Sequence, residues 1–192
     1  MVRRLLVVAV CLVAMAGLTA CNDLEGTGDK QYISGDGTIT AVDAADRGDP
    51  VTLDGEALDG SSLSLQDFRG KPVVVVVWWS GCPPCRKEAP WVTETADQLG
   101  DAAQFVGINI RDASAAQAQA YERAFDVDYP SFYSPGGEAV LAFPRVLGPR
   151  TIPAFVVLDA EGRVAASVIG PLPSRRTLRD LTDDVVQETR DG

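Results

Sequence analysis

Residues 73–90 read VVVVVWWSGCPPCRKEAP. The run Val73 to Trp79 is unbroken apolar sequence, β-branched at five positions, which suits a central strand covered on both faces. Cys82 and Cys85 follow it directly. Arg86 to Leu99 then reads as a helix that ends at Gly100. Phe105 to Ile110 is a second buried strand. Strand, helix and strand within about 40 residues make a βαβ unit, and hence a parallel pair of strands.

The cysteine spacing admits four readings. Structural zinc needs four ligands, and a chain without histidine offers too few beside this pair. Haem attachment needs a histidine after the second cysteine, and Arg86 stands there. A structural staple is the serious competitor, but a disulfide gains more from closing a long loop, and this one closes only the four residues Cys82 to Cys85. A redox couple between a buried strand and a helix is therefore favoured. A nucleophilic thiol must ionise, and Cys82 falls at the helix cap, where the positive end of the dipole stabilises a thiolate. Cys85 is one turn in, placed to resolve a mixed disulfide formed at Cys82. Such exchange needs no metal and no organic cofactor.

The chain has 192 residues and a net charge of −10, which argues against nucleic acid as a partner. The absence of histidine excludes Ser-His-Asp and Cys-His nucleophile machinery in its usual form, and His-ligated metal sites. Arg3 and Arg4 precede an apolar stretch, Leu5 to Leu18, of signal-peptide length and short for a membrane span. Leu18-Thr19-Ala20-Cys21 resembles the lipobox of bacterial lipoproteins. The resemblance implies cleavage before Cys21 and diacylglycerol on its sulfur; an ordinary secretory signal is the alternative. Cys11 would leave with the signal, so the thiol chemistry of the mature chain rests on Cys82 and Cys85. Export places that pair where disulfides persist. The expected organisation is a signal peptide over 1–20, the lipidated Cys21 with a Gly- and Asp-rich tether over 21–48, and a folded domain over 49–192.

Within that domain, Val51 to Leu53 and Ser62 to Leu65 predict a small hairpin, with a turn signal at Asp54-Gly55. Ser114 to Phe125 reads as a helix capped by Ser114, and Ala139 to Phe143 as a short one. Ala154 to Leu158 and Val164 to Ile169 are strands joined by a tight turn at Asp159 to Gly162. Ser174 to Glu188 closes the chain as an amphipathic helix with Leu178, Leu181, Val185 and Val186 on one side. The fold class is α/β, a mixed sheet flanked by helices with a short N-terminal hairpin extension.

Several of these residues together resemble the thioredoxin superfamily, and most of all its membrane-tethered TlpA/ResA-type thiol-disulfide oxidoreductases. The resemblance covers roughly residues 49–189. It rests on Gly70-Lys-Pro-Val, Trp78 before the cysteines, Cys82-Pro83-Pro84-Cys85, Glu88-Ala-Pro90 and Thr151-Ile152-Pro153. It implies a thioredoxin-like domain with a redox-active Cys82–Cys85 disulfide. Pro153 matches a cis-proline that lies against the active site, and Pro90 a proline that kinks the long helix. Trp78, Trp79, Pro83, Pro84, Thr151, Ile152 and Pro153 are the expected substrate-contacting residues. Glu88 matches a glutamate that sits near the pair and tunes it; a partly buried carboxyl there would have a raised pKa and could pass a proton to or from Cys85. Val76 stands where thioredoxin has a buried aspartate.

Two departures carry expectations of their own. Gly81 stands where the family commonly has tryptophan, which predicts a more open surface beside Cys82. Pro83 and Pro84 lack N–H groups, so a Cys82 thiolate keeps chiefly the donor of Cys85. That favours a less acidic thiol and a reducing role. By resemblance the substrates are protein disulfides such as oxidised apocytochrome c, and electrons come from a membrane thiol carrier of CcdA/DsbD type. The protein would sit on the outer face of the bacterial cell membrane. An oxidase of secreted proteins shares every one of these features. A peroxiredoxin would need Thr three residues before its cysteine, and a copper-handling Sco-type protein a wider cysteine spacing and a histidine; a non-catalytic binding lipoprotein would show no dithiol exchange.

Overall fold

A computed structural model describes residues 38–191. The signal segment, Cys21 and the tether up to residue 37 lie outside the described residues. The elements are β1 (Ile39–Ala41), β2 (Asp54–Glu56), β3 (Ser62–Ser64), β4 (Val73–Trp78) and α1 (Pro83–Leu99). There follow β5 (Gln104–Asn109), α2 (Ala115–Ala124), β6 (Ser131–Tyr133), β7 (Ala154–Leu158), β8 (Val164–Ile169) and α3 (Thr177–Asp191). Six strands form one mixed sheet in the order β1-β8-β7-β4-β5-β6, and β2 and β3 pair separately.

The valine run is the centre of the sheet. β4 pairs parallel with β5 and antiparallel with β7, so both its edges are hydrogen-bonded. Its side chains alternate between two cores. Val74, Val76 and Trp78 meet Ala89 and Val92 of α1, Tyr121 of α2, and Leu178, Val185 and Val186 of α3. Val73, Val75 and Val77 meet Leu65, Val140, Phe143 and Leu147 on the opposite face. With both faces dry, no position in the strand calls for a polar residue, which is why the alternation expected of a half-exposed strand is missing.

α1 begins three residues before its expected start. Pro83 and Pro84 occupy its first turn, where a missing N–H costs nothing. Pro90 lies within the helix and withholds a donor from the carbonyl four residues earlier. Ser114 caps α2, its Oγ accepting the Gln117 N–H.

Three features depart from the sequence reading. Asp54-Gly55 is strand rather than turn: β2 pairs Asp54 with Ser64 and Glu56 with Ser62. The reversal falls at Asp59-Gly60, where Gly60 takes φ +86° and Asp59 Oδ1 accepts from Ser61. Gly55 is small for a contact reason, since a Cβ there would stand 3.1 Å from the Phe132 ring. Ile39 to Ala41, read as tether, pairs antiparallel with β8 and caps that edge of the sheet. Arg47 holds the following segment down: its side chain, 4 % exposed, pairs with the equally buried Asp159 and reaches Glu188 of α3. The folded part thus starts about ten residues before 49. β6 was not expected at all; three residues after Pro130 are too few to show a period.

Candidate active site at the start of the central helix

The end of β4 delivers the chain to the positive end of α1. Cys82 is the N-cap residue, in extended conformation, and its Sγ accepts the Cys85 N–H at 3.1 Å. The prolines between them offer no second donor. Cys82 and Cys85 are joined as a disulfide, with Cα atoms 5.2 Å apart. Both are more than nine-tenths buried, while Gly81 and Pro83 beside them are exposed.

The approach to Cys82 is fixed from a distance. Asp112, fully buried just beyond β5, accepts from the Ser80 N–H (2.9 Å), the Ser80 hydroxyl (2.6 Å) and Asn109 Nδ2 (2.7 Å). Arg86 donates to the Ser80 carbonyl at 3.2 Å and stacks its guanidinium over Phe125. Tyr121 donates its hydroxyl to the Cys85 carbonyl at 3.0 Å and stacks on Trp78, with ring centroids 4.4 Å apart. Burial pushes the Tyr121 phenol well above its ordinary range, so it acts here as a donor and not as an acid. Trp78 is therefore core and site wall at once.

Gly81 does not open the surface as its sequence suggested. A Cβ at Gly81 would lie 2.5 Å from the Trp79 ring, so the half-buried indole of Trp79 already fills the space beside the cysteine.

Glu88 is 3 % exposed. The Leu172 N–H, 84 residues away in sequence, donates to its Oε1 at 3.2 Å. Its Oε2 has no hydrogen-bond partner among the protein atoms. Burial raises the carboxyl above its ordinary pKa, and the Leu172 N–H and the Lys87 charge offset part of that rise. Glu88, Cys85, Trp78, Tyr121, Phe155 and Pro153 line one small cavity of about 20 Å³, with room for about one water molecule. The Ile152–Pro153 peptide bond is cis. Thr151 and Ile152 precede it in the same loop, where the Thr151 hydroxyl accepts the Gly148 N–H. Pro153 is tied in turn to the Glu88 side, because its carbonyl accepts the Gly170 N–H two residues before Leu172.

The structure thus brings Cys82, Cys85, Glu88, Trp78 and Pro153 together. Ser80, Asp112, Tyr121 and Leu172 belong to the same site and were not singled out from sequence. Asp112 carries one signal, a lone acid at the end of a buried strand, but nothing in the sequence connects it with Ser80, 32 positions away. The arrangement can do one kind of chemistry on its own: a thiolate at a helix N-terminus, a second thiol one turn away, and a buried carboxyl in reach of the inner sulfur's cavity.

A mixed sheet of this order, with Cys-x-x-Cys at the start of its central helix and a cis-proline beside it, defines a thioredoxin-like protein. More narrowly, the chain belongs to the Redoxin family, whose model matches residues 43–185. The ResA thiol-disulfide oxidoreductase of Bacillus thuringiensis subsp. konkukian is 25 % identical over 113 residues, 59 % of this chain. The chain spans 63 % of the length of that relative. The thioredoxin-like protein YneN of Bacillus subtilis is 27 % identical over 131 residues, 67 % of this chain and 74 % of YneN. Among solved structures, a secreted thiol-disulfide isomerase from Corynebacterium glutamicum superposes with a TM-score of 0.73 at 28 % identity, covering 84 % of this chain and 98 % of its own. A DsbF homologue from Corynebacterium diphtheriae gives 0.67 at 32 % identity, covering 84 % and 99 %.

Proposed function

We propose that this chain is an extracytoplasmic thiol-disulfide oxidoreductase, held at the outer face of the membrane through lipid on Cys21 and acting as a reductase of protein disulfides. The observation that carries the reducing direction is the single backbone donor to Cys82 Sγ, that of Cys85. A thiolate with few donors is less stabilised, so the reduced form of the couple holds its electrons less firmly.

In the reaction, the Cys82 thiolate attacks one sulfur of a substrate disulfide. That S–S bond breaks, a mixed disulfide forms, and the departing substrate thiolate takes a proton. Cys85 passes its proton to the ionised Glu88 carboxylate and attacks the Cys82 sulfur. The second substrate thiolate leaves and is protonated. Two electrons have moved to the substrate, and Cys82–Cys85 is the disulfide that a membrane thiol carrier of CcdA/DsbD type must reduce again. Oxidised apocytochrome c, kept reduced for haem attachment, is the substrate the family resemblance favours. Trp79, Pro83, Pro84 and the Thr151–Pro153 loop form the surface on which the substrate strand would lie.

A second reading, insertion of disulfides into secreted proteins, uses the same dithiol; the likeness to a secreted thiol-disulfide isomerase from Corynebacterium supports exported, disulfide-bonded partners in either direction. The equilibrium potential of the couple in glutathione or dithiothreitol buffers separates the two. A value near or below about −270 mV is expected; one near about −120 mV would move the assignment to an oxidase.

A further inference from the structure

Besides α2, whose Tyr121 bonds the Cys85 carbonyl and whose Gln117 bonds Ser80, four segments meet around the disulfide. Residues 79–88 carry the cysteines. Asp112 binds Ser80, which brings residues 110–113 beside them. Arg111 donates from Nη2 to the Pro149 carbonyl at 3.0 Å, and so holds the loop 144–153 that ends in cis-Pro153. Residues 170–176 arrive through the bonds of Gly170 to Pro153 and of Leu172 to Glu88.

The charge on this rim is one-sided. Its first segment exposes Arg86 and Lys87, and its second Arg111. The proline loop exposes Arg145 and Arg150, and the last segment Arg175 and Arg176. The same four stretches hold two carboxylates, Glu88 and Asp112. Both are buried and accept backbone N–H groups from another segment. Every exposed ionised side chain of these four stretches is therefore a cation, and α2 adds the exposed Arg123 beside a half-buried Glu122, in a chain with 17 Lys and Arg against 27 Asp and Glu. Lys87 and Arg175 lie over the same half-buried Trp91 ring, 5.9 and 5.8 Å from its centroid. This draws cations of two segments to one place.

We infer that the rim selects protein disulfides whose cysteines are flanked by Asp and Glu. The inference rests on the thiol-disulfide reading above and narrows its substrate class. Scattered surface cations are usually only solvated; a ring of them around the reacting sulfurs, on an otherwise acidic molecule, steers an anionic partner to that one end. An anionic membrane surface would also meet such a rim, but it would cover the disulfide that substrates must reach.

The test uses the full chain in its reduced form. Two peptides of equal length, each closed by one disulfide, carry Asp and Glu or Lys around the cysteines, and bis(2-hydroxyethyl) disulfide serves as a neutral third substrate. Each rate is divided by the rate with dithiothreitol, which removes intrinsic differences in reactivity. The normalised rate for the acidic peptide is expected to exceed that for the basic one by about tenfold at about 20 mM salt, and to approach it at about 500 mM. Replacing Arg145, Arg150 and Arg176 together by Glu is expected to erase or invert the ratio. Equal normalised rates at low salt, with neutral exchange intact, overturn this inference and leave the thiol-disulfide reading standing. Failure of neutral exchange removes both. Equal rates combined with weaker binding of the triple variant to phosphatidylglycerol–phosphatidylcholine vesicles would overturn it in favour of membrane contact.

Discussion

Glu88 shows how much one side chain owes to its surroundings. On sequence alone a glutamate in the second turn of a helix belongs in water. Here it is buried beside Cys85, with one oxygen held by Leu172 and the other without a protein partner. Its raised pKa has a stability consequence of definite sign. Between the ordinary glutamate value and the raised folded value, the folded chain binds more protons than the unfolded chain. The stability that Glu88 lends is thus complete below the ordinary value and is lost as pH rises through the folded one. Glu88→Gln keeps an acceptor for Leu172 and removes the charge. The variant is expected to be more stable than the parent near pH 8, and the gap is expected to close near pH 4, as read from thermal unfolding of both oxidised proteins. In exchange assays the same variant should lose the part of the pH–rate profile that reports a base for Cys85. Asp112 is the opposite case, a carboxylate satisfied by three donors. Asp112→Ala strands those donors in the interior and is expected to cost about 2–4 kcal/mol, measured by urea unfolding. Neither residue could be fully read in advance. The spacing of Glu88 from Cys85 was legible; its burial depends on a partner 84 residues downstream. Gly81 misled for a similar reason, since the ring that fills its space is two positions back and its direction is a matter of packing.

At the scale of elements, what was legible followed burial. β4, β5, β7 and β8 are strongly apolar, and each was placed within a residue or two of its observed span. The three-residue β3 and the short helical turn Glu138–Ala142 were legible as well, but two other short elements were not. β1 and β6 have three residues each, too few to show a period, and they exist because β8 and β5 offer open edges that need partners. The hairpin reverses at Asp59-Gly60 and not at Asp54-Gly55, where a side chain larger than glycine would press on Phe132. The early start of the sheet is testable. A chain beginning at residue 49 loses the β1–β8 pairing, the buried Ile39 and the Arg47–Asp159 pair. Relative to one beginning at residue 38 it is expected to lose about 3 kcal/mol and to self-associate through the bare edge of β8. Urea titration and sedimentation would show both effects. Arg47→Ala in the longer chain should account for a part of the loss, because Asp159 keeps Arg163 and two backbone N–H groups.

For the whole molecule, redox state and stability are two faces of one equilibrium. A dithiol that is weakly held in its reduced form leaves the oxidised protein the more stable of the two. The urea midpoint of the oxidised chain is therefore expected to exceed that of the reduced chain, each 30 mV of potential corresponding to about 1.4 kcal/mol. The reverse order would point to an oxidant.

The site is assembled from stretches that lie far apart along the chain, and this has a consequence in time. A polypeptide appears from its N-terminus, so Cys82 and Cys85 are made before the proline loop and well before Leu172, which follows Glu88 by 84 residues. At about 5–20 residues per second that interval lasts roughly 4–17 s. Throughout it the pair is a bare dithiol: Glu88 is made but lacks its Leu172 partner, and the cis-proline and most of the cationic rim are still to come. It can then be oxidised or captured by any passing disulfide. The selectivity inferred for the rim arrives only with the last third of the sequence.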